Sequence, residues 1–167
     1  MKKPYIIPIC MTVFFAVICV IYLSGAISSG GADIGAIAVT SGDLREEIDL
    51  DFLRSLEGES FNTVIRSSGQ RPRDVMYTGV PLSLILDVLE IDWQDKRHVI
   101  VSGADSYAIA VLVREILEPD NVYIVYALDG RQLKPASEGG EGPFQLIIRK
   151  DTFAQRWCKY INLVEIQ

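Results

Sequence analysis

The chain has 167 residues, of which 49% are hydrophobic and 23% are charged, and its formal net charge at pH 7 is -6. This length fits one ordinary domain with a short additional segment. The hydrophobic content excludes a disordered or low-complexity chain, because it can bury enough apolar surface to offset chain entropy. The acidic balance argues against nucleic acid as a partner, since such binding needs a surplus of Lys and Arg.

The N-terminal segment accounts for much of the hydrophobic content. Lys2 and Lys3 precede an uncharged run, residues 5–23. A helix of that length, rising about 1.5 Å per residue, nearly crosses a hydrocarbon core of about 30 Å. Lysines before such a helix stay on the cytoplasmic side. The segment therefore predicts a single-pass membrane anchor with the rest of the chain on the extracytoplasmic side.

A cleaved signal peptide is the alternative, which would leave a secreted protein. Small residues end the run at Ser24-Gly25-Ala26, where a signal peptidase could cut. The Gly/Ser-rich stretch that follows is typical of a flexible tether. We therefore divide the chain into an anchor or signal peptide at 1–26, a tether at 27–32 and one domain at 33–167.

The predicted strands are segments rich in β-branched and aromatic residues. Two of them flank the polar loop 67–72, which predicts a hairpin. Asp129-Gly130 is a strong signal for a tight turn. The strands are predicted at 34–40, 61–66, 73–78, 98–102, 107–113, 122–128, 144–149 and 160–166.

Short helices are predicted where leucine and isoleucine recur at helical spacing. The clearest are 49–56 and 81–89; 114–117 is a single turn, and 151–157 is a short helix capped by Asp151. Strands and helices do not alternate regularly, and no glycine-rich nucleotide-binding turn follows a strand, so a parallel Rossmann-type sheet is not expected. The predicted fold class is α+β and β-rich.

Side chains for metal binding or nucleophilic catalysis are scarce. The sequence holds one histidine, His98, and outside the apolar run one cysteine, Cys158. A zinc site needs three or four ligands, and catalysis of the Ser-His type needs a histidine base beside its nucleophile. We interpret Cys158 as a buried small residue, and the sequence predicts no metal site.

Two further segments have open interpretations. Arg66, Arg71 and Arg73 surround the predicted hairpin loop, where they are typical either of a solvated turn or of a carboxylate- or phosphate-binding site. The glycine-rich segment 137–143 is predicted to be a flexible loop, because its two glutamates would repel an anion.

Five short motifs occur in order along the domain. They are Tyr77-Thr78-Gly79-Val80-Pro81-Leu82, Ser102-Gly103-Ala104-Asp105-Ser106-Tyr107, Tyr126-Ala127-Leu128-Asp129-Gly130, Gly142-Pro143-Phe144-Gln145-Leu146, and Arg156-Trp157 with Ile161. This set resembles the molybdopterin-binding domain of the sulfite oxidase family, over about residues 61–166. The resemblance implies a β-rich, sulfite-oxidase-like fold.

The departures from the family pattern decide the expected function. The family's molybdenum is held by a cysteine thiolate upstream of the Gly-Val-Pro-Leu motif, and the corresponding stretch 61–68 contains no cysteine. A cationic residue of the family is replaced by Gln145. We therefore expect a non-catalytic module that binds a small ligand or a protein, and no bound cofactor.

Two alternatives stay open. One is a molybdopterin-dependent oxidoreductase with an altered ligand set, and the other is a structural adaptor for a neighbouring membrane protein. If a ligand binds in the former cofactor cleft, the resemblance and the arginine cluster together give the candidate binding residues. These are Arg71, Arg73, Tyr77, Asp105, Tyr107, Asp129 and Gln145.

Overall fold

The computed structural model describes residues 35–167, and the predicted anchor and tether lie outside them. Within the described part, no helix is long and apolar enough to cross a membrane. The described residues form ten strands. They are β1 (Ala36–Ser41), β2 (Leu44–Asp49), β3 (Glu59–Ile65), β4 (Arg73–Pro81), β5 (His98–Gly103), β6 (Ala108–Leu112), β7 (Val122–Leu128), β8 (Arg131–Gln132), β9 (Gln145–Ile148) and β10 (Ile161–Ile166).

The helices are short and stand between strands. The first shows how local sequence fixes its start, since the Asp49 carboxylate accepts a hydrogen bond of 2.8 Å from the backbone N–H of Phe52. The α-helices are α1 (Leu50–Ser55), α2 (Leu82–Val88) and α3 (Val113–Ile116), and 3₁₀ turns occur at Ala136–Glu138 and Ala154–Arg156.

The first sheet has the order β2-β1-β10-β5-β6. Strands β1 and β10 run parallel, and the other neighbours are antiparallel. Side chains alternate as a half-buried sheet requires; in β5, Val99 and Val101 are buried while His98 and Ile100 are partly exposed.

The second sheet has the order β3-β4-β7-β8, with β9 also paired to β7. Its centre is buried on both faces, because every residue of β9 and residues 122–125 of β7 are buried. The buried side chains of both sheets and of the helices form one hydrophobic cluster. The fold is therefore a β-rich α+β single domain.

Most predicted elements are confirmed to within a few residues, including the β3–β4 hairpin and helix α2. Two predictions need correction. Strand β2 was not predicted, because only Ile48 of its six residues is buried and the sequence shows no alternation. The predicted helix 151–157 is only the 3₁₀ turn Ala154–Arg156, since the Asp151 carboxylate binds the Arg156 side chain instead of capping a helix.

Candidate functional site

A cleft opens beside the loop of the β3–β4 hairpin, and we call it the hairpin cleft. Its volume is about 490 Å³, within the usual range for small-molecule sites. A second cavity of about 530 Å³, the outer lobe, shares Arg73 and Glu141 with it. The hairpin cleft is lined by Ile65, Ser67, Gln70, Arg71, Arg73, Tyr77, Glu141, Gln145, Ala154, Trp157 and Lys159.

Tyr77 forms part of the floor of the hairpin cleft. Strand alternation turns its side chain inward, between the exposed residues of β4, and its ring packs edge-on against Trp157 with the centroids 6.1 Å apart. Burial raises the pKa of the Tyr77 hydroxyl above its ordinary value, and the nearby Glu141 carboxylate raises it further. The hydroxyl therefore stays protonated and remains a hydrogen-bond donor at neutral pH.

Gln145 supplies the second polar group of the floor. It is only 2% exposed, and its Oε1 accepts a hydrogen bond from the Tyr77 hydroxyl at 3.4 Å. Among residues 35–167, no fully buried side-chain nitrogen or oxygen lacks a hydrogen-bond partner. The Gln145 side chain lines the cleft, so its amide group can bond an acceptor that enters the cleft.

Three cationic side chains line the hairpin cleft. Arg71 and Arg73 are exposed at its wall, and in the described part of the chain neither forms an ion pair. Lys159 is half-buried, and its Nζ lies 2.6 Å from Oε1 of Glu141. Arginine suits a carboxylate or phosphate, because its planar group offers paired donors. Cations and hydrogen-bond donors therefore outnumber anions in this cleft.

The backbone around Glu141 is packed closely against residues 133–134. A Cβ at Gly140 would lie 2.1 Å from the Lys134 carbonyl oxygen, and one at Gly142 would lie 2.4 Å from Cβ of Leu133. The Gly142 N–H also donates to the Lys134 carbonyl at 2.8 Å. Only glycine fits at both positions, so this loop is held in place. The prediction of a flexible loop at 137–143 is therefore wrong at its C-terminal end.

Four of the candidate residues meet in the hairpin cleft: Arg71, Arg73, Tyr77 and Gln145. Asp129 lies in the outer lobe. Its Oδ1 accepts a hydrogen bond of 2.9 Å from the Met76 N–H, and its own N–H donates to the Met76 carbonyl at 2.7 Å. These bonds fasten the turn after β7 to β4, so the contacts of Asp129 are those of a structural turn residue.

Asp105 and Tyr107 do not line the hairpin cleft, which corrects the expectation from the motifs. They lie in the turn between β5 and β6 of the other sheet. Asp105 accepts a hydrogen bond from the Tyr107 N–H at 3.0 Å, and the Tyr107 hydroxyl donates to the Gln155 carbonyl at 2.6 Å. Both side chains therefore hold the turn and its neighbour in place.

Cys158 is buried, as the sequence predicts. Its Sγ donates to the Tyr107 carbonyl at 3.8 Å, and burial, with a smaller effect of Asp105, raises its pKa to about 12. Trp157 and Lys159 on either side face the hairpin cleft, while Cys158 is not part of its lining. Its thiol is therefore neutral at physiological pH and points elsewhere.

The side chains that line the hairpin cleft suit one part of a molybdenum cofactor and not another. None of the described lining residues is a cysteine, and no group of three His, Cys, Asp or Glu side chains in residues 35–167 is arranged to hold a metal ion. A molybdenum centre that needs a protein thiolate does not fit these residues. The cations do suit the negative charge of a phosphate or carboxylate.

Seven lining residues of the hairpin cleft are not among the candidates that the sequence predicts. Lys159 follows Trp157 at a spacing of two, and this spacing is the signal that both side chains face the same side of an extended segment. The sequence indicates Glu141 only as a charge that repels anions. The others are Ile65, Ser67, Gln70, Ala154 and Trp157.

Comparison with solved structures finds a similar fold. The crystal structure of the sulfane dehydrogenase SoxCD from Paracoccus pantotrophus superposes with a TM-score of 0.64 at 16% sequence identity. The match covers 78% of the present chain and 37% of the SoxCD chain, so the present chain spans little more than a third of that protein.

Comparison with curated proteins finds no match. The family described as "Oxidoreductase molybdopterin binding domain" matches residues 47–167, which is most of the chain and all of the described fold except β1 and the first half of β2. The chain therefore belongs to the oxidoreductase molybdopterin-binding domain family.

Proposed function

We propose that this protein is a non-catalytic ligand-binding module whose hairpin cleft holds a small organic anion. The observation that carries the proposal is the convergence of Arg71, Arg73 and Lys159 with the buried amide of Gln145 on one cleft. Arginine pairs with carboxylate and phosphate oxygens, and the amide group of Gln145 in the cleft lining can donate a hydrogen bond to such an oxygen.

The overall charge of the protein strengthens this argument. The full chain has a net charge of -6, and yet the hairpin cleft contains three cations and a single carboxylate. An acidic surface repels anions in general, so a local excess of positive charge confines their binding to the cleft. Solubility alone does not require Arg71, Arg73 and Lys159 to lie together in the hairpin cleft.

The lack of a thiolate in the cleft supports a role without molybdenum chemistry. Cys158, the one cysteine of the described residues, is buried and its pKa is raised to about 12. For Cys158 to ligate a metal in the cleft, its thiol would have to lose its proton, leave its buried position and turn towards the cleft. We therefore assign it to the core.

A molybdopterin-dependent oxidoreductase is the second candidate. It is favoured by membership of the oxidoreductase molybdopterin-binding domain family and by the cations of the cleft, which suit an anionic cofactor. Against this candidate, none of the described residues that line the cleft is a cysteine that would ligate molybdenum. The two candidates differ in metal content, which the closing experiment of the Discussion measures.

We also propose that the domain is held at the extracytoplasmic face of a membrane by residues 5–23. The proposal rests on the uncharged run and on Lys2 and Lys3 before it. Retention of the full-length chain in membranes washed with alkaline carbonate would support it. Release of a mature chain that begins at Ile27 would contradict it and leave only export.

Anion binding is tested by calorimetric titration of the full-length chain, purified in a non-ionic detergent, with succinate and with inorganic phosphate. The variant Arg71→Ala with Arg73→Ala removes both unpaired cations. Arg45→Ala is the control, because Arg45 lies on β2, is exposed and pairs with Glu47. Binding by the wild type and the control, lost in the double variant, supports the proposal. No binding of either anion, or unchanged binding in the double variant, contradicts it.

A further inference from the structure

Glu141 is the single carboxylate in the lining of the hairpin cleft, and it stands where the cleft meets the outer lobe. Its side chain is 45% exposed, so it is accessible to a ligand in either cavity. A carboxylate at an anion-binding site repels an anionic ligand. The position of Glu141 therefore calls for an explanation beyond solubility.

The structure holds Glu141 firmly in this position. The close approach of Gly140 and Gly142 to residues 133–134 fixes the backbone on both sides. The Tyr160 hydroxyl also donates to the Gly140 carbonyl at 3.1 Å. A carboxylate that only increased solubility would not need a backbone that glycine alone permits.

Glu141 also changes the electrostatics of the floor. Its ion pair with Lys159, 2.6 Å long, takes up much of the charge of that cation. Its proximity to Tyr77 contributes to the raised pKa of the tyrosine hydroxyl. An incoming anion therefore finds Arg71 and Arg73 free, but it must compete with Glu141 for Lys159.

We propose that Glu141 determines ligand specificity, so that the cleft selects a carboxylate that also carries a hydroxyl or ammonium group. Arg71 and Arg73 bind the carboxylate of the ligand, and Glu141 accepts a hydrogen bond from its hydroxyl or ammonium group. A ligand without such a donor meets only the repulsion of Glu141. Specificity of this kind combines an attractive contact for one ligand with a repulsive contact for its analogue. This inference rests on the proposed function.

The test uses two probes that differ by one hydroxyl group. Succinate and malate carry the same charge and nearly the same shape, so repulsion from Glu141 alone affects both. Calorimetric titration of the full-length chain in a non-ionic detergent should show malate binding about fivefold more tightly, the effect of one net hydrogen bond. Glu141→Leu removes both the charge and the hydrogen-bond acceptor, so it should raise the affinity for succinate and bring the two affinities within about twofold of each other.

The matched control is Glu138→Leu. Glu138 lies in the same segment, pairs with Lys134 at 3.8 Å and does not line the hairpin cleft. The control variant should keep the preference of the wild type. A second variant, Lys159→Gln, removes the cation that partly neutralises Glu141, so the preference for malate over succinate should increase.

The outcomes separate the two proposals. Equal binding of malate and succinate by the wild type, or a preference that survives Glu141→Leu, overturns the role of Glu141 and leaves the anion site standing. Loss of the preference in the Glu138→Leu control overturns it as well. Failure of the wild type to bind any of the probes overturns the proposed function and this inference with it.

Discussion

Arginine side chains occupy two contrasting regions of this domain. Arg156, in the 3₁₀ turn before β10, donates from Nε to Asp151 at 2.9 Å and from Nη2 to Glu115 at 2.8 Å. Arg71 and Arg73, at the hairpin cleft, form no ion pair among the described residues. An arginine whose donors are already used stabilises the fold, whereas an arginine with free donors at a cleft is available to a ligand.

The Arg156 network is built to hold elements together. Glu115 also accepts a hydrogen bond from the Leu112 N–H at 2.9 Å, so the network joins the start of α3 to the turn at Ala154–Arg156. The hydrogen bond from Arg156 lowers the pKa of the Glu115 carboxyl, and the two carboxylates raise the pKa of Arg156. Among the described residues, Arg71 and Arg73 form no such ion pair, and the carboxylate that lines the hairpin cleft, Glu141, pairs with Lys159.

The largest effect on stability is expected from Arg156→Met. The change leaves Glu115 and Asp151 without their cation, although 38% exposure of the Arg156 side chain weakens each interaction by solvent screening. We expect the free energy of unfolding to fall by about 1–2 kcal/mol. Urea unfolding of the full-length chain in a non-ionic detergent, followed by tryptophan fluorescence, measures it. Affinity for succinate should stay within about twofold, and a large loss of binding would break the contrast between the two regions.

The double variant Arg71→Ala with Arg73→Ala should show the opposite pattern. Removing two exposed, unpaired cations should change the free energy of unfolding by less than about 0.5 kcal/mol. Affinity for succinate should fall at least tenfold, which corresponds to about 1.4 kcal/mol. Calorimetry and urea unfolding of the same preparation measure both quantities. A destabilisation as large as that of Arg156→Met would show that these arginines are structural after all.

The pH dependence of stability sharpens the comparison. Because the pKa of Glu115 is lower in the folded state than in the unfolded state, its contribution is present above the unfolded pKa and is lost as the pH falls through the lowered folded pKa. Unfolding measured from about pH 5 to about pH 3 should therefore show a steeper loss of stability in the wild type than in Arg156→Met. Identical slopes of stability against pH in the wild type and in Arg156→Met would show that Arg156 does not cause the lowered pKa of Glu115.

A modest effect on stability, smaller than that of Arg156→Met, and no effect on binding are expected from Asp105→Ala. Loss of the hydrogen bond to the Tyr107 N–H should lower the free energy of unfolding by about 0.5–1 kcal/mol. Affinity for succinate should stay within about twofold, because Asp105 does not line the hairpin cleft. A tenfold loss of affinity would return Asp105 to the list of binding residues.

Much of the fold was predictable because its hydrophobic pattern is local. Strand β5 alternates buried and exposed residues, and the two strands of the hairpin are separated by a polar loop that the sequence shows directly. Strand β2 escaped prediction because an edge strand with one buried side chain has no such pattern. The helix predicted at 151–157 failed because Arg156 competes for the carboxylate that would have capped it.

The candidate site was predictable only in part. Tyr77 and Gln145 were found through the family motifs, and Arg71 and Arg73 through their clustering at the hairpin loop. Glu141 and Lys159 were missed, since they lie 18 residues apart and meet only in the folded chain. Asp105 and Tyr107 do not line the hairpin cleft, and their predicted role in binding stays untested; a motif order along the chain does not say which sheet carries each turn.

The molybdenum content of the full-length chain tests the account most directly. The protein is produced in a host that synthesises the molybdenum cofactor, purified in a non-ionic detergent and subjected to elemental analysis, with Cys158→Ser prepared in parallel. The account predicts no molybdenum in either protein, because none of the described residues that line the hairpin cleft is a cysteine and the pKa of Cys158 is raised to about 12 by burial. Near-stoichiometric molybdenum in the wild type, lost in Cys158→Ser, would contradict it and make Cys158 a metal ligand.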